Sequence, residues 1–299
     1  MNATKLVVPL FAALAYFPSE GWALPVLGPE LASFAVLGAS TLTNTGATNL
    51  IGNLGVSPGS AITGFFGTVE NDGPGTFTGA AHQADAFAGT AQTQLGNAKV
   101  SLGLLGPGTL KPADLGGLTL APGVYTVLPG VSNLTGTLTL DGGGNANAFW
   151  VFQMSSTLIT STDSVVNVIN TGAGAGVYWN VGTSATLDTR TTFEGNILAS
   201  ESITMNDGVV LSCGRALAHT GAVTMIGDTV DSVGCAGTGE EGSNGLSGGL
   251  TVLVAGGIPT PLPIAPLPAV PEPETYALML AGLSVVGFVA RRNKRRSAA

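Results

Sequence analysis

A short phrase of alternating polar and apolar residues recurs between residues 119 and 230. Each copy has a threonine, then a leucine or methionine, then a variable residue. A Gly- and Ala-rich stretch at 171–176 lengthens one interval, and we interpret it as an inserted loop of about ten residues. The remaining period of 18–20 residues is typical of a solenoid. The repeated threonines follow one another at intervals of 20, 18, 29, 18 and 20 residues: Thr119, Thr139, Thr157, Thr186, Thr204 and Thr224.

The alternation also predicts which side chains face outward. Successive side chains of a strand point to opposite faces, so the Leu or Met points into the core and its two neighbours point out. Stacked coils lie about 4.8 Å apart, which predicts an outward threonine ladder with a second column beside it. A solvated face that uses Thr only for its strand propensity is the alternative. We assign the ladder to Thr139, Thr157, Thr186, Thr204 and Thr224, and the second column to Ile159, Asp188, Asn206 and Ile226.

One helix is predicted before these coils, over residues 79–103. We expect it to start at Thr78 or Gly79, to end within residues 103–107, and to hold His82 in its first turn. There a solvated or hydrogen-bonded histidine is expected rather than a catalytic one. Apolar residues at steps of three and four form its narrow stripe, which is rich in alanine and suits close packing on a flat sheet: Ala84, Phe87, Ala88, Ala91, Leu95, Ala98 and Leu102.

The rest of residues 24–237 is β-rich and predicts one continuous core. Short alternating segments at 34–43 and 49–56 precede the helix, and a turn follows them. The fold class is therefore mainly β, a solenoid with one long helix alongside, in a single domain. The inward positions expected to form the core are Phe149, Val151, Phe152, Val165, Val168, Val177, Trp179, Val181, Phe193, Ile197, Ile203 and Val210.

Composition narrows the class of protein. Only 9% of the residues are charged and 45 are glycine, which excludes a disordered chain and favours tightly stacked coils. The net charge is -8, with no basic patch outside the extreme C-terminus. We therefore expect no nucleic-acid partner.

The first 23 residues have the pattern of a secretory signal peptide. Lys5 supplies the positive end, residues 6–17 the apolar part, and residues 21–23 the small side chains that a signal peptidase needs. Pro9 interrupts the apolar part and Pro18 follows it, which argues against a first core strand or an anchor helix. We expect cleavage after Ala23.

The C-terminal fifth of the chain is predicted to lie outside the domain. Residues 238–269 are first Gly- and Ser-rich and then Pro-rich, as in an extended linker. A terminal strand from Leu250 to Val254 is the alternative. The last segment, 270–299, begins around the triplet Pro271, Glu272 and Pro273.

An apolar run of 15 residues at 276–290 and a basic cluster at 291–296 follow that triplet. The run is marginal for a membrane span, and the cluster is expected to stay on the cytoplasmic side. This three-part tail resembles the PEP-CTERM sorting signal of Gram-negative bacteria, with a plain C-terminal anchor as the alternative. The resemblance implies recognition by an exosortase, and a surface or extracellular location with a transient or retained membrane anchor.

Candidate chemistry is sparse. Cys213 and Cys235 lie 22 residues apart, about one coil, and in an exported protein we predict a disulfide between them. Two cysteines cannot form a structural zinc site alone. No nucleophile elbow or metal-ligand spacing occurs. The best case for carbohydrate cleavage uses Asp188, Arg190, Glu194 and Glu201, but a solvated corner explains the first two better. We expect no enzyme activity, no cofactor and no metal.

Several segments together resemble the widespread microbial ice-binding proteins. The resemblance implies a discontinuous right-handed β-solenoid of triangular section, with one long helix packed along one face. It also implies an ice-binding surface on a flat face that the helix leaves uncovered. The segments that carry it are Phe34–Gly38, Gly52–Gly59, Gly117–Tyr125, Phe149–Gln153, Val177–Gly182, Phe193–Ala199 and Gly214–Ala218.

Ice binding has a physical rationale in the threonine ladder. Methyl groups order water, hydroxyls hydrogen-bond it, and a regular spacing lets the bound water match an ice plane. Asp188 interrupts the second column, so we expect moderate activity, closer to recrystallisation inhibition than to deep freezing-point depression. We expect a monomer whose partners are the ice surface, signal peptidase and exosortase, with extracellular polysaccharide as a further candidate. A surface or biofilm-matrix solenoid without ice activity is the alternative function.

Overall fold

Parallel pairing between successive coils organises the protein. The structure, a computed structural model, describes residues 23–234, 245–255 and 258–264. The signal-peptide residues before Ala23, Cys235 and the sorting tail from residue 270 lie outside the described residues. Residues up to Ile264 belong to one compact unit.

Two helices and 24 strands make up the described elements. The helices are α1 (Pro29–Ala32) and α2 (Ala86–Gly103). The strands are β1 Ala23–Pro25, β2 Phe34–Gly38, β3 Thr41–Thr45, β4 Asn49–Ile51, β5 Asn53–Val56, β6 Ala61–Thr63, β7 Thr76–Phe77, β8 Ala81–Gln83, β9 Thr109–Lys111, β10 Thr119–Leu120, β11 Gly123–Val127, β12 Thr137–Asp141, β13 Phe149–Met154, β14 Leu158–Ile159, β15 Val165–Ile169, β16 Gly176–Val181, β17 Ala185–Leu187, β18 Thr192–Ala199, β19 Ile203–Met205, β20 Val210–Ala218, β21 Val223–Ile226, β22 Thr229–Asp231, β23 Leu250–Ala255 and β24 Ile258–Pro263.

The coils contribute strands to three parallel stacks, which we call faces. The ladder face is the six-stranded sheet β14-β17-β19-β21-β3-β6. The mixed face contains β10, β12, β15, the first part of β18, the first part of β20, β22, β4 and β7. The helix face contains β9, β11, β13, β16, the second parts of β18 and β20, β2, β5 and β8. Because β18 and β20 bend from one face to the other, with a bulge between Glu194 and Asn196, the last two faces form one 15-stranded sheet.

The order of coils is discontinuous, as the family resemblance implies. The last coil stacks on the first: β20 pairs with β2, β21 with β3, and β22 with β4. Helix α2 then carries the chain back along the helix face. Its Gln92 Nε2 donates to the carbonyl oxygens of Gly38 and Ala218, whereas its Lys99 Nζ reaches those of Val181 and Leu198 further along.

The start of this helix corrects the prediction. Helix α2 begins at Ala86 and not at Thr78 or Gly79, because the Asp85 side chain caps it by accepting a hydrogen bond from Ala88 N at 2.8 Å. Strand β8 occupies the residues before that cap, so His82 lies on a strand and not in a helical turn. Its Nδ1 lies 2.7 Å from the Asp85 carboxylate, a hydrogen-bonded role as expected.

The predicted stripe of the helix is mostly correct. The residues from Ala88 onward that were assigned to it are buried against the helix face. Phe87 is 38% exposed, and Ala84 lies before the cap with a φ of 54°. The buried members are Ala88, Ala91, Leu95, Ala98 and Leu102.

An aromatic stack runs through the centre of the solenoid. The ring centroids of Tyr125 and Phe152 lie 5.8 Å apart, those of Phe152 and Trp179 3.9 Å, and those of Trp179 and Phe193 4.8 Å. Pairing in register sets the first two contacts. Such stacks add to the burial of the rings and fix the register of neighbouring coils.

Four predicted core positions point outward instead. Val210 is 37% exposed, and Val165 is half-buried and pairs with Thr192 on the outer side of the mixed face. Val151 and Phe149 belong to the cluster between the helix face and α2. Strand alternation places Val151 opposite to its neighbour Phe152, so both cannot face the same core.

The predicted linker 238–269 is corrected for its described part. Residues 250–255 and 258–263 form β23 and β24, an antiparallel pair whose β23 also pairs with β1. Leu246, Leu250 and Val252 are buried. The strand kept as the alternative at Leu250 to Val254 is thus present, and this segment completes the cover of the helix face.

Two further predictions, the disulfide and the membrane-spanning segment, involve residues outside the described part of the chain. Cys213 is disulfide-bonded, and its predicted partner Cys235 lies outside the described part of the chain. No helix among the described residues is long and apolar enough to cross a membrane. The apolar run at 276–290 lies outside them.

Candidate functional site

The outer side of the ladder face carries one column of residues in register. Each rung pairs with the next without a register shift. The column is half-buried, and the apolar residues that alternate with it are buried in the core. From one end of the solenoid to the other it reads Ile159, Thr186, Thr204, Thr224, Thr43 and Thr63.

The structure brings together three of the five threonines predicted for the ladder: Thr186, Thr204 and Thr224. Ile159, and not Thr157, is level with Thr186, so Ile159 belongs to the ladder and not to the second column. Thr139 lies on the mixed face, where it pairs with Thr119 and Asn167. The phrase of Thr and Leu recurs on both faces, and spacing alone did not separate them.

Sequence reasoning missed the N-terminal half of the column. Thr43 pairs with Thr224 and Thr63 pairs with Thr43, although long stretches of chain separate these strands. The available signal was the polar–apolar alternation in Thr41–Thr45, although the phrase of Thr followed by Leu selects Thr41 there and the observed pairing places Thr43 on the ladder. A search along the chain could not join them, because the last coil stacks on the first.

Two further outward columns flank the ladder. On one side lie Asn206 and Ile226, as predicted for the second column, together with Asp188 and Thr45. On the other side every rung has a small side chain. Ser184 Oγ accepts from Ser202 N, and Ser202 Oγ accepts from Ala222 N, both at 3.2 Å. Small residues in that column keep the edge of the face low and even.

Glycines let the chain leave the ladder in the same way on adjacent coils. Gly227 and Gly46 have φ values of 65° and 96°, which L-residues with side chains rarely adopt. Gly227 N donates to Thr45 O at 2.9 Å. The Asp228 carboxylate then accepts from Val209 N and Ile226 N, which joins the ladder face to the mixed face.

The charged side chains nearest the ladder form hydrogen bonds or ion pairs with other groups of the protein. The pKa of Asp188 is lowered, first by the hydrogen bond from Asn206 and then by those from Thr189 N and Thr162. Burial raises the pKa of Asp228 to about 7. Arg190 forms an exposed ion pair with Asp163 at 2.7 Å at the corner beyond the ladder. No charged side chain stands within the ladder column.

The ladder hydroxyls are available to solvent. In the part of the chain that the structure describes, the side chains of Thr43, Thr63, Thr186, Thr204 and Thr224 make no intramolecular hydrogen bond. The face therefore presents regularly spaced methyl groups and free hydroxyls, at about 4.8 Å from rung to rung.

The residues considered for carbohydrate cleavage do not form one site. Asp188 and Arg190 lie at the corner of the ladder and mixed faces, Glu194 is buried beneath the mixed face, and Glu201 lies beside Ser184. Within the described ranges, no group of three or more His, Cys, Asp or Glu residues could hold a metal ion.

The mixed face carries a second column in register. Seven rungs follow one another, and threonine or asparagine occupies all but two of them. The next column on this face contains Asn167, Ser212 and two carboxylates, those of Glu194 and Asp231. The first column reads Thr137, Val165, Thr192, Val210, Thr229, Asn49 and Thr76.

Comparison with known proteins agrees with this architecture. Residues 36–231 match the family model described as ice-binding-like. The chain belongs to this family. A second family model, the PEP-CTERM protein-sorting motif, matches residues 269–296 of the chain. This match covers the C-terminal tail for which the sequence predicted such a signal.

Similar proteins cover most of the domain. An ice-binding protein from Nostoc sp. (strain HG1) is 43% identical over 228 residues, which are 75% of this chain and 81% of the relative. The crystal structure of an ice-binding protein from the Antarctic ascomycete Antarctomyces psychrotrophicus has a TM-score of 0.63 and 35% identity, covering 70% of this chain and 98% of that one. An ice-binding protein from an Antarctic biological consortium has a TM-score of 0.62 and 36% identity, covering 76% and 96%.

Proposed function

We propose that this protein binds ice through the ladder face and inhibits recrystallisation. The observation that carries the proposal is the unbroken outward column of five threonines and one isoleucine, flanked by a column of small residues. Membership of the ice-binding-like family supports the same function, since the relatives compared above are ice-binding proteins and not enzymes.

The ladder suits ice because it fixes both shape and spacing. β-Branched side chains on a strand have restricted χ1 rotamers, so the methyl groups and hydroxyls hold their positions without ligand. Parallel pairing repeats the same group at each coil. An ordered first layer of water can then form over the face before the crystal arrives, which lowers the entropic cost of binding.

Asp188 limits the activity that we expect. A carboxylate binds water tightly in an arrangement of its own, and this one stands in the column next to Thr186. Its bonds to Asn206 and Thr162 occupy part of its hydrogen-bonding capacity. We therefore propose recrystallisation inhibition with a moderate difference between freezing and melting points.

The sorting motif supports a location at the cell envelope. We infer export, processing of the tail by an exosortase, and release or retention at the cell surface. A surface-held ice binder would attach cells to ice. The second candidate function, a structural or adhesive solenoid that contacts extracellular polysaccharide, is favoured by the same motif.

Ice activity of residues 24–264 tests the proposal. Thr204→Tyr places a bulky ring in the middle of the ladder, and Thr109→Tyr places the same ring at an exposed edge of the helix face as the control. We expect Thr204→Tyr to require about tenfold more protein for equal recrystallisation inhibition, equivalent to about 1.4 kcal/mol. The control should match the parent, and circular dichroism should show all three folded.

Two other outcomes are informative. A folded parent without thermal hysteresis or recrystallisation inhibition would contradict ice binding and leave the structural or adhesive function. A parent whose activity survives Thr204→Tyr unchanged would keep ice binding and exclude the ladder face as its site.

A further inference from the structure

We propose that the mixed face is a second ice-binding surface, which engages a crystal plane different from the one bound by the ladder face. The inference rests on the proposed ice-binding function. Its basis is the seven-rung column from Thr137 to Thr76, which is one rung longer than the ladder itself.

The Thr and Val residues of this column have side chains of nearly the same shape. Thr and Val differ only by a methyl group in place of a hydroxyl, and both are β-branched with restricted rotamers on a strand. Val165 pairs with Thr137 and Thr192, and Val210 pairs with Thr192 and Thr229. Five successive rungs therefore project two branches each from Cβ, at the rung spacing of the same coils that form the ladder.

The surface of this column is uncharged and available. Val210 is 37% exposed, and the described contacts give the side chains of Thr137, Thr192 and Thr229 no intramolecular hydrogen bond. The cluster formed by α1, α2 and β23 packs on the helix face alone among the described residues. The mixed face is thus left open to solvent by these elements.

The nearby carboxylates are held by the backbone. Glu194 is only 8% exposed, and its Oε2 accepts from Val168 N at 2.7 Å. Asp231 Oδ1 accepts from Val233 N and Gly234 N at the end of its strand. Both carboxylates are therefore turned toward main-chain donors, although the column that contains them is less uniform than the flanks of the ladder.

Ice fits this face better than a second protein chain does. Stable protein interfaces bury about 800 Å² on each partner around a core enriched in aromatic residues, Met and Arg. The column has none of these residue types. A repeating array of small β-branched residues is matched to a lattice and offers no pocket for an anchoring side chain.

The two faces must bind different planes. The chain passes from the ladder face in β21 to the mixed face in β22 through a corner at Asp228, so the two columns point in different directions. A flat crystal plane can contact only one of them at a time. Binding to two planes would block crystal growth along more directions than one face allows.

Ice-plane labelling tests the inference. Residues 24–264 fused at the C-terminus to a fluorescent protein are adsorbed to a single-crystal ice hemisphere, as the parent, Thr192→Tyr, Thr204→Tyr and the double variant. We expect the parent to label two sets of planes, each single variant to lose a different set, and the double variant to lose both. Thr192→Tyr should also lower the thermal hysteresis about twofold, because one of the two proposed surfaces is lost.

The controls separate this inference from the function on which it rests. A parent that labels ice, with a pattern that Thr192→Tyr leaves unchanged, overturns the second face and keeps ice binding. A folded parent that labels no plane overturns both. If Thr192→Tyr fails to fold, Val210→Lys places a charge at an exposed position of the same column and is expected to remove the same planes. Thr109→Tyr should preserve the parental pattern.

Discussion

The helix face and the ladder face come from the same coils but differ at their outward positions. On the helix face, Leu198 pairs with Leu217 and Leu217 with Leu37, and all three are fully buried under α2. On the ladder face, Thr204 pairs with Thr186 and Thr224 and meets solvent. The backbone is a parallel stack in both cases.

This difference shows that side-chain chemistry, and not the backbone, decides which face needs a cover. An exposed row of leucines would leave apolar surface in water at about 25 cal/mol per Å², so a helix and a terminal sheet are retained to bury it. Threonine hydroxyls are satisfied by water, and a face that carries them can stay open for a ligand made of water.

Removal of β23 and β24, which help to cover the helix face, should have the largest effect on stability. A chain ending at residue 244 loses β23 and β24 and the Gly245 carbonyl that accepts from the buried Arg215 guanidinium. Unsatisfied buried groups cost about 1–3 kcal/mol each, and more when charged, against a total stability of about 5–15 kcal/mol. We expect loss of a cooperative thermal transition relative to residues 24–264. A midpoint unchanged by this truncation would show that the cover is dispensable.

Alanine substitutions at matched outward positions compare how much the helix face and the ladder face each contribute to stability. Leu217→Ala removes a fully buried side chain under α2 and should cost about 2–5 kcal/mol in urea denaturation. Thr204→Ala changes an open position and should stay within about 0.5 kcal/mol. We expect the order to reverse for ice activity, which Thr204→Ala lowers and Leu217→Ala preserves at temperatures where it is folded. Equal stability costs for the two variants would argue against distinct roles.

The smallest expected effect is a pH dependence of the free energy of unfolding that arises from Lys99, where α2 contacts the helix face. Burial lowers the pKa of Lys99 to about 8, compared with about 10.4 in an unfolded chain. Between these values the unfolded state binds more protons, so the free energy of unfolding should rise with pH. From pH 8 to 9.5 we expect a gain on the order of 1–2 kcal/mol that Lys99→Met abolishes. Parallel pH profiles for parent and variant, from denaturant unfolding, would contradict this assignment.

Much of the architecture follows from local pattern. The period of the Thr-Leu phrase predicted the coils, and the alanine stripe predicted the packed side of α2. Alternation also predicted that Thr186, Thr204 and Thr224 share one outward column. These features depend on residues close in sequence or separated by one repeat.

The errors have a common physical cause. Pairing between distant strands placed Thr43 and Thr63 on the ladder, and a two-residue difference in register exchanged Thr157 for Ile159. Because side chains alternate with a period of two, a slip of two residues keeps each side chain on its face but moves it to the neighbouring column, and it leaves the spacing of the repeat almost unchanged. The helix start was missed because the apolar stripe extends back to Ala84 in the sequence, whereas the Asp85 cap begins the helix at Ala86.

The stacking of the last coil on the first also sets the timing of assembly. Asp228 N donates to Thr48 Oγ1 across 180 residues, so the first coils lack this neighbour until the end of the domain has been synthesised. Contacts this distant slow folding, because a long loop must close before they form. A chain synthesised only as far as its middle contains Thr43 and Thr63 but not Thr224, which pairs with Thr43. The complete ladder column therefore exists only after the last coil has been made.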